Sequence, residues 1–182
     1  MQQFSKWMLE TIRAEGAMLS WLEEQRFEWT ATVAQAIGQI VEGKTVVLIT
    51  DYERQWFESY ITSSYNKPTI DRPMIPIVSI DRLYPHYDHI TGGEMIEMLD
   101  GMLEIAFKGD YFFWYIGKGD DRRSDIAKRS DNSLLWLMDE DFQNAMPLRS
   151  YDPQIDIKLV QLYRLFDTTL GAALFGEIDV GQ

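Results

Sequence analysis

With no cysteine to serve as nucleophile or soft metal ligand, the candidates for chemistry in this chain are its carboxylates, two histidines, its serines and one glycine-lysine loop. His86 and His89 lie in Tyr84-Pro85-His86-Tyr87-Asp88-His89, where two imidazoles and a carboxylate could ligate a metal or form an acid-base pair. The stretch reads as a turn, it offers no third ligand, and neither imidazole has a nucleophile to activate, so a surface loop is the better reading. Asp51, Asp81 and Asp139-Glu140-Asp141 fall near the ends of candidate strands, where some α/β proteins hold Mg²⁺. Solvated helix caps are the commoner use of such residues in an acidic chain.

Two strand-to-helix turns remain. Gly117-Lys118-Gly119-Asp120-Asp121-Arg122-Arg123 joins glycines to cations as a weak phosphate cradle would, but it lacks the GxGxxG and GxxxxGK[ST] spacings and two aspartates interrupt the charge. An exposed connection fits it better. Thr50-Asp51-Tyr52-Glu53 has no glycine, and its spacing predicts a capping box in which Thr50 and Glu53 satisfy the helix N–H groups while the carboxylates discourage an anion. No serine sits in a nucleophile elbow. The residues therefore assign no catalytic group, no cofactor and no metal, and the chain does not read as an enzyme.

The elements that carry these residues follow from periodicity. Strands are predicted over 45–50, 75–80, 111–116 and 133–138, with 146–150 as a fifth that Pro147 confines to an edge or to a strand start. Helices are predicted over 53–65, 93–107, 124–130 and 153–175. Such alternation implies a parallel sheet covered on both faces, an α/β fold of three layers, αβα. Two further helices precede the first strand. One carries Phe4, Trp7, Met8 and Ile12; the other opens at a capping box, Ser20 to Glu23, runs through Leu22, Trp29, Val33, Ile37 and Ile40, and closes at Gly43. Thr91 to Glu94 reads as another capping box, with Met95, Met98, Leu99, Met102 and Ala106 on one face of its helix. Asp152-Pro153 opens the last helix, whose two apolar stripes (Ile155, Leu159, Leu162, Phe166, Leu170 and Ile157, Val160, Leu165) predict a homo-oligomer.

Composition bounds the rest. At 182 residues the chain is expected to form one domain, 1–43 being the leading helices and 44–182 the βα units and final helix. With 46% hydrophobic and 25% charged residues it is ordinary for a globular protein, while 13% aromatic, including six Trp, points to extra buried or interfacial surface. The net charge of −12 disfavours direct nucleic-acid contact and anionic membranes. No basic apolar leader and no run of about 18 apolar residues is present, so a cytoplasmic location is expected.

The whole chain resembles the HobA family, the DnaA initiator-associating proteins of epsilon-class proteobacteria. The resemblance rests on Trp21-Leu22-Glu23, Arg54-x-Trp56-Phe57-x-x-Tyr60-Ile61, Arg72-Pro73, Tyr84-Pro85, Phe113-Trp114-x-x-Gly117-Lys118, Leu134-x-Trp136-Leu137 and Lys158-Leu159-x-Gln161-Leu162-x-x-Leu165-Phe166. It implies a Rossmann-like, sugar-isomerase-type (SIS) fold related to the DiaA group, with a five-stranded parallel sheet and a homotetrameric assembly. It also implies a non-enzymatic function: binding the N-terminal domain of the replication initiator DnaA and promoting its oligomerisation at the chromosomal origin. The 117–130 loop and the tail after Phe175 depart from the family pattern. Exposed aromatics near element ends favour Tyr84 and the pair Leu174-Phe175 as candidate partner contacts, with core or subunit packing as the other use of the same residues. The competing reading is a phosphosugar- or nucleotide-binding domain, with 117–123 as its loop.

Overall fold

Alternation along two central strands sets the architecture. In Thr45–Thr50 (β1) and Tyr111–Lys118 (β3), Val46, Leu48, Phe112, Trp114 and Ile116 enter one apolar cluster, and Val47, Ile49, Phe113 and Tyr115 enter another. Residues two apart on a strand point the same way, so the clusters lie on opposite faces of one sheet. The computed structural model describes residues 2–68, 71–90 and 92–180, without the side chains of Gln2 and Asp88.

Ile77–Ser79 (β2), Leu134–Met138 (β4) and Ala145–Leu148 (β5) complete a five-stranded sheet of order β2-β1-β3-β4-β5, parallel throughout. All five predicted strands are present. Pro147 lies on the edge strand β5 and pairs only towards β4, where its missing N–H interrupts no second ladder. In chain order the helices are Gln2–Ala14 (α1), Arg26–Val41 (α2), Gln55–Ser64 (α3), Ile80–Leu83 (α4), Gly93–Phe107 (α5), Asp125–Lys128 (α6) and Ile155–Leu174 (α7).

The two faces are covered unequally. On the first, α1, α2, α3 and α7 bring Phe4, Trp29, Phe57 and Phe166 onto the sheet. The aromatic residues concentrate here: Trp114 stands 5.1 Å from Trp136 and 4.9 Å from Phe166, and Trp29 stands 5.8 Å from Trp136, ring centre to ring centre. On the second face, α5 supplies Ile96, Leu99 and Leu103, and the single turns α4 and α6 add Ile80, Ile126 and Ala127.

Several local expectations need correction. The Ser20 capping box does not form: Ser20–Leu22 is a separate 3₁₀ turn, the Ser20 hydroxyl donates to the Ala17 carbonyl, and Glu23 pairs with Arg13 across the bend. The helix proper starts later, at Arg26, and Gly43 ends it as expected with φ +93°. Thr91 lies outside the described residues, and Gly92 is the N-cap of α5 without a side-chain bond. Asp152 caps a preceding turn, accepting the Gln154 N–H at 2.8 Å, so α7 begins at Ile155.

Two amphipathic faces are also rotated or filled differently. In α5 the core takes Ile96, Leu99 and Leu103, and Met98 and Ala106 face outward. The second stripe of α7 is covered mostly from within the chain. Leu165 is buried in the same cluster as Leu19 and Leu22, Val160 packs against it, and only Ile157 stands exposed. Trp21 seals that side, donating its Nε1–H to Gln161 at 2.9 Å with Lys158 Nζ 4.6 Å from its ring centre. The stripe therefore does not by itself require a second subunit.

Candidate functional site

In this strand order the topology reverses between β1 and β3, and the crevice outside their carboxyl ends is where doubly wound folds bind ligands. Here Asp51 occupies it. Its Oδ1 accepts the Arg54 N–H at 3.0 Å, and its Oδ2 accepts the Lys118 N–H at 2.8 Å and an Arg54 guanidinium N–H at 2.9 Å. Asp51 and Arg54 are both buried. Burial pushes the Asp51 carboxyl above its ordinary range, opposed by the Lys118 N–H and Arg54.

This geometry replaces the predicted Thr50 to Glu53 capping box. The helix entry is a 3₁₀ turn, Tyr52–Arg54, whose N-cap is Asp51, one residue later than the box requires. Thr50 donates instead to Glu58 at 3.3 Å, and Glu53 takes Lys118 Nζ at 2.9 Å and Arg54 at 2.5 Å. The Lys118 ammonium and Arg54 hold the Glu53 carboxyl below its usual range.

The glycines of the 117–119 loop are explained by the same packing. A Cβ on Gly117 would fall 2.7 Å from the Asp51 carboxyl and 2.7 Å from the Tyr115 hydroxyl. One on Gly119 would fall 2.4 Å from the Glu140 Cβ. Both positions are bare because neighbouring side chains press against them, which accounts for the two glycines without a phosphate.

The other candidate carboxylates do not converge. Asp81 pairs with Arg123, whose guanidinium carbon lies 5.2 Å from the Tyr87 ring centre. Asp139 takes the Ser150 hydroxyl and, at 3.0 Å, its N–H; Glu140 takes Lys128 at 2.6 Å; Asp141 lies 3.9 Å from Arg149 at the surface. Among the described residues no group of three or more His, Asp or Glu could hold a metal. His86 and His89 meet edge to face at 6.0 Å in a single turn, and the Asp88 side chain lies outside the described residues.

One carboxylate missed by the sequence reading stands close by. Glu58, on α3, accepts the Ser79 hydroxyl at 2.6 Å as well as Thr50. Burial pushes its carboxyl up, partly offset by the Ser79 bond, with Asp81 adding to the rise and Arg123 opposing it. A cavity of about 360 Å³ opens beside this network between Tyr52, Tyr87, Ile90, Ile96 and Asp121 to Arg123.

The candidate partner contacts fall in two places. Tyr84 is half-buried against the second apolar cluster, whereas Leu174 packs on the first and Phe175, just past the end of α7, is 60% exposed. They lie on opposite faces of the sheet and cannot form one continuous patch on a single chain. The sequence reading also missed the outer side of α5, where Met98 and Ile105 are exposed and a groove of about 220 Å³ runs along Tyr84, Met95, Met98, Leu99 and Met102. The pattern that identifies the true core face, Ile96, Leu99 and Leu103, is present at helical spacing but competes with the methionines.

Comparison with known proteins agrees with this architecture. The chain is 28% identical to the DNA replication regulator protein HobA of Helicobacter pylori over 186 residues, covering 98% of this chain and 99% of the relative. A crystal structure of a HobA–DnaA (domain I–II) complex from Helicobacter pylori superposes with a TM-score of 0.75 at 26% identity, covering 97% of this chain and 98% of that one. A structure of HobA alone from the same organism superposes with a TM-score of 0.75 at 25% identity, covering 97% of each chain. The family described as HobA, DNA replication regulator, matches residues 1–180. With the correspondence running from end to end of the chain, the protein belongs to the HobA family of DNA replication regulators.

Proposed function

We propose that this chain is a non-catalytic adaptor that binds the N-terminal domain of DnaA and, as a cytoplasmic homotetramer, promotes DnaA oligomerisation at the chromosomal origin. The observation that carries this reading is the end-to-end correspondence with a HobA solved in complex with DnaA domains I–II. A symmetric assembly holding several such domains makes their later contacts effectively intramolecular. The filled β1–β3 crevice supports a role without chemistry there, on what we read as a sugar-isomerase-type scaffold whose usual ligand position is taken by Asp51. The net charge of −12 supports a protein partner over direct DNA contact. Among the described residues no helix is long and apolar enough to cross a membrane.

Tyr84, Leu174 and Phe175 are the proposed contacts. Because they occupy opposite faces, one small domain touching one chain reaches only one of the two patches. Light scattering after size exclusion, with and without the DnaA N-terminal domain, tests the reading: a tetramer that co-elutes with the domain is expected. Phe175→Ala is expected to weaken binding about tenfold or more with an unchanged melting temperature, since this side chain is largely exposed. A monomer, or a tetramer that ignores the domain, would sink the proposal.

A second reading is favoured by the cavity of about 360 Å³ beside the crevice, whose wall includes Arg122. A small phosphorylated ligand seated there at a hundred times its dissociation constant would add about 2.7 kcal/mol of stability. A thermal-shift panel of sugar phosphates and nucleotides reads this directly, and no shift with any of them would remove the reading.

A further inference from the structure

An open sheet ends in two strands whose outer backbone groups can template a further strand. Here those strands are β2 and β5. Along a parallel strand, successive residues turn their N–H and C=O groups alternately to one side and to the other. The residues that face outward are therefore fixed by those that face in.

On β5 the Leu148 carbonyl accepts the Asp139 N–H at 3.1 Å. Leu148 and Met146 thus face β4, and Ala145 and Pro147 face outward. Pro147 carries its ring Cδ where any other residue would offer an N–H. That takes a donor from a four-residue edge and sets a methylene in the space where an added strand would lie.

On the other edge the Val46 N–H donates to the Pro76 carbonyl at 2.9 Å, so Pro76 faces β1 while Ile75 and Ile77 face outward. Ile75 is already occupied. The Asn66 carboxamide donates to its carbonyl at 2.8 Å and accepts its N–H at 3.0 Å, the same two bonds a neighbouring strand would make. What remains of this edge is the short stretch from Ile77 to Ser79, where the chain turns into α4.

Open edges carry a particular hazard in this topology. β5 of one copy laid against β2 of the next continues the parallel sheet head to tail, and a head-to-tail contact that does not close grows into a filament. We propose that Pro147 and Asn66 are edge stops, which keep copies of this chain from joining sheet to sheet and leave self-association to its other surfaces. The proposal holds whichever surface the DnaA domain uses.

The test uses the full chain and light scattering over a concentration series. Pro147→Val restores the N–H with a strand-forming side chain, and its mass is expected to rise with concentration to at least twice that of the wild type. Adding Asn66→Ala frees Ile75 on the other edge, and the double variant is expected to grow at least tenfold in mass. Pro147→Lys restores the same N–H but places a charge on the edge, and it is expected to keep the wild-type mass. In the associated Pro147→Val protein, the amide restored at position 147 is expected to exchange with deuterium at least tenfold more slowly than at the lowest concentration. A wild-type mass at every concentration in both valine variants overturns the proposal. So does a lysine variant that associates as strongly as the valine one, because the cause would then be lost proline packing and not strand pairing. Association confined to temperatures above the melting transition overturns it as well, since it would belong to the unfolded chain.

Discussion

Asp51 holds three donors from two different elements, the N–H and guanidinium of Arg54 and the N–H of Lys118, in a site sealed by Gly117. Removing the carboxylate leaves the buried Arg54 with, among the described residues, only the exposed Glu53 as counter-ion. Breaking a buried pair from one side costs about 3–5 kcal/mol. Asp51→Ala is therefore expected to lose stability on that order in urea denaturation, with Asp51→Asn, which keeps an acceptor, losing less; a loss under 1 kcal/mol for alanine would contradict the arrangement. Glu58 makes a prediction of the opposite character. Its carboxyl is pushed up by burial, so the native state keeps this proton in a pH range where the unfolded chain, near the ordinary value, has released it. Stability from this group is thus fully present at acid pH and falls as the pH rises above the ordinary carboxyl value. Glu58→Gln is expected to gain melting temperature at neutral pH relative to pH 4 when compared with the wild type. Parallel melting curves across that range for both proteins would show that Glu58 does not titrate as its surroundings dictate.

Elements whose register repeats over many residues were legible, and single-residue decisions were not. Strands β1 and β3 are legible because apolar runs bounded by turns leave little choice, and of the two positions that Pro147 leaves open, an edge or a strand start, the sheet takes the edge. The Thr50 box failed because Thr50 and Asp51 are both competent caps, and what selects Asp51 is the Lys118 amide, 67 residues away in sequence. The reason for Gly117 is illegible for the same cause, since a Cβ there would run into Asp51, which is 66 residues earlier in the chain. The α5 helix was read rotated because methionines weigh as heavily as isoleucine and leucine in a periodicity count, while packing against Val47 and Phe113 takes the branched residues. The α7 helix shows the two outcomes side by side. Leu159 is fully buried and Ile157 is 59% exposed. Leu159→Ala is expected to cost about 2–5 kcal/mol and Ile157→Ala about 0.5 kcal/mol or less, measured by denaturation at low protein concentration. A large cost at Ile157 that grows with protein concentration would place that residue in a contact between subunits.

At the scale of the molecule, a ligand-binding topology is combined with a closed ligand crevice, an acidic surface and a sheet covered unequally. Among the described residues four helices stand over the first face, including the two leading ones that precede the βα units, whereas the second has one full helix and two single turns. Candidate contacts and grooves are divided between the two faces: Tyr84 and the groove along α5 on the second, Leu174 on the first with Phe175 next to it at the end of α7. Unequal covering also means unequal resistance to local opening. Amide hydrogens in segments with less buried surface exchange with solvent through small fluctuations, while those in the best-packed elements wait for global unfolding. Deuterium exchange should therefore run fastest, among the sheet-covering helices, in α4, α5 and α6 and slowest in α2, α7 and the central strands. A partner seated on the second face would slow exchange where it was fast and leave the first face unchanged, so the same chain can be rigid as a platform and compliant where it is touched.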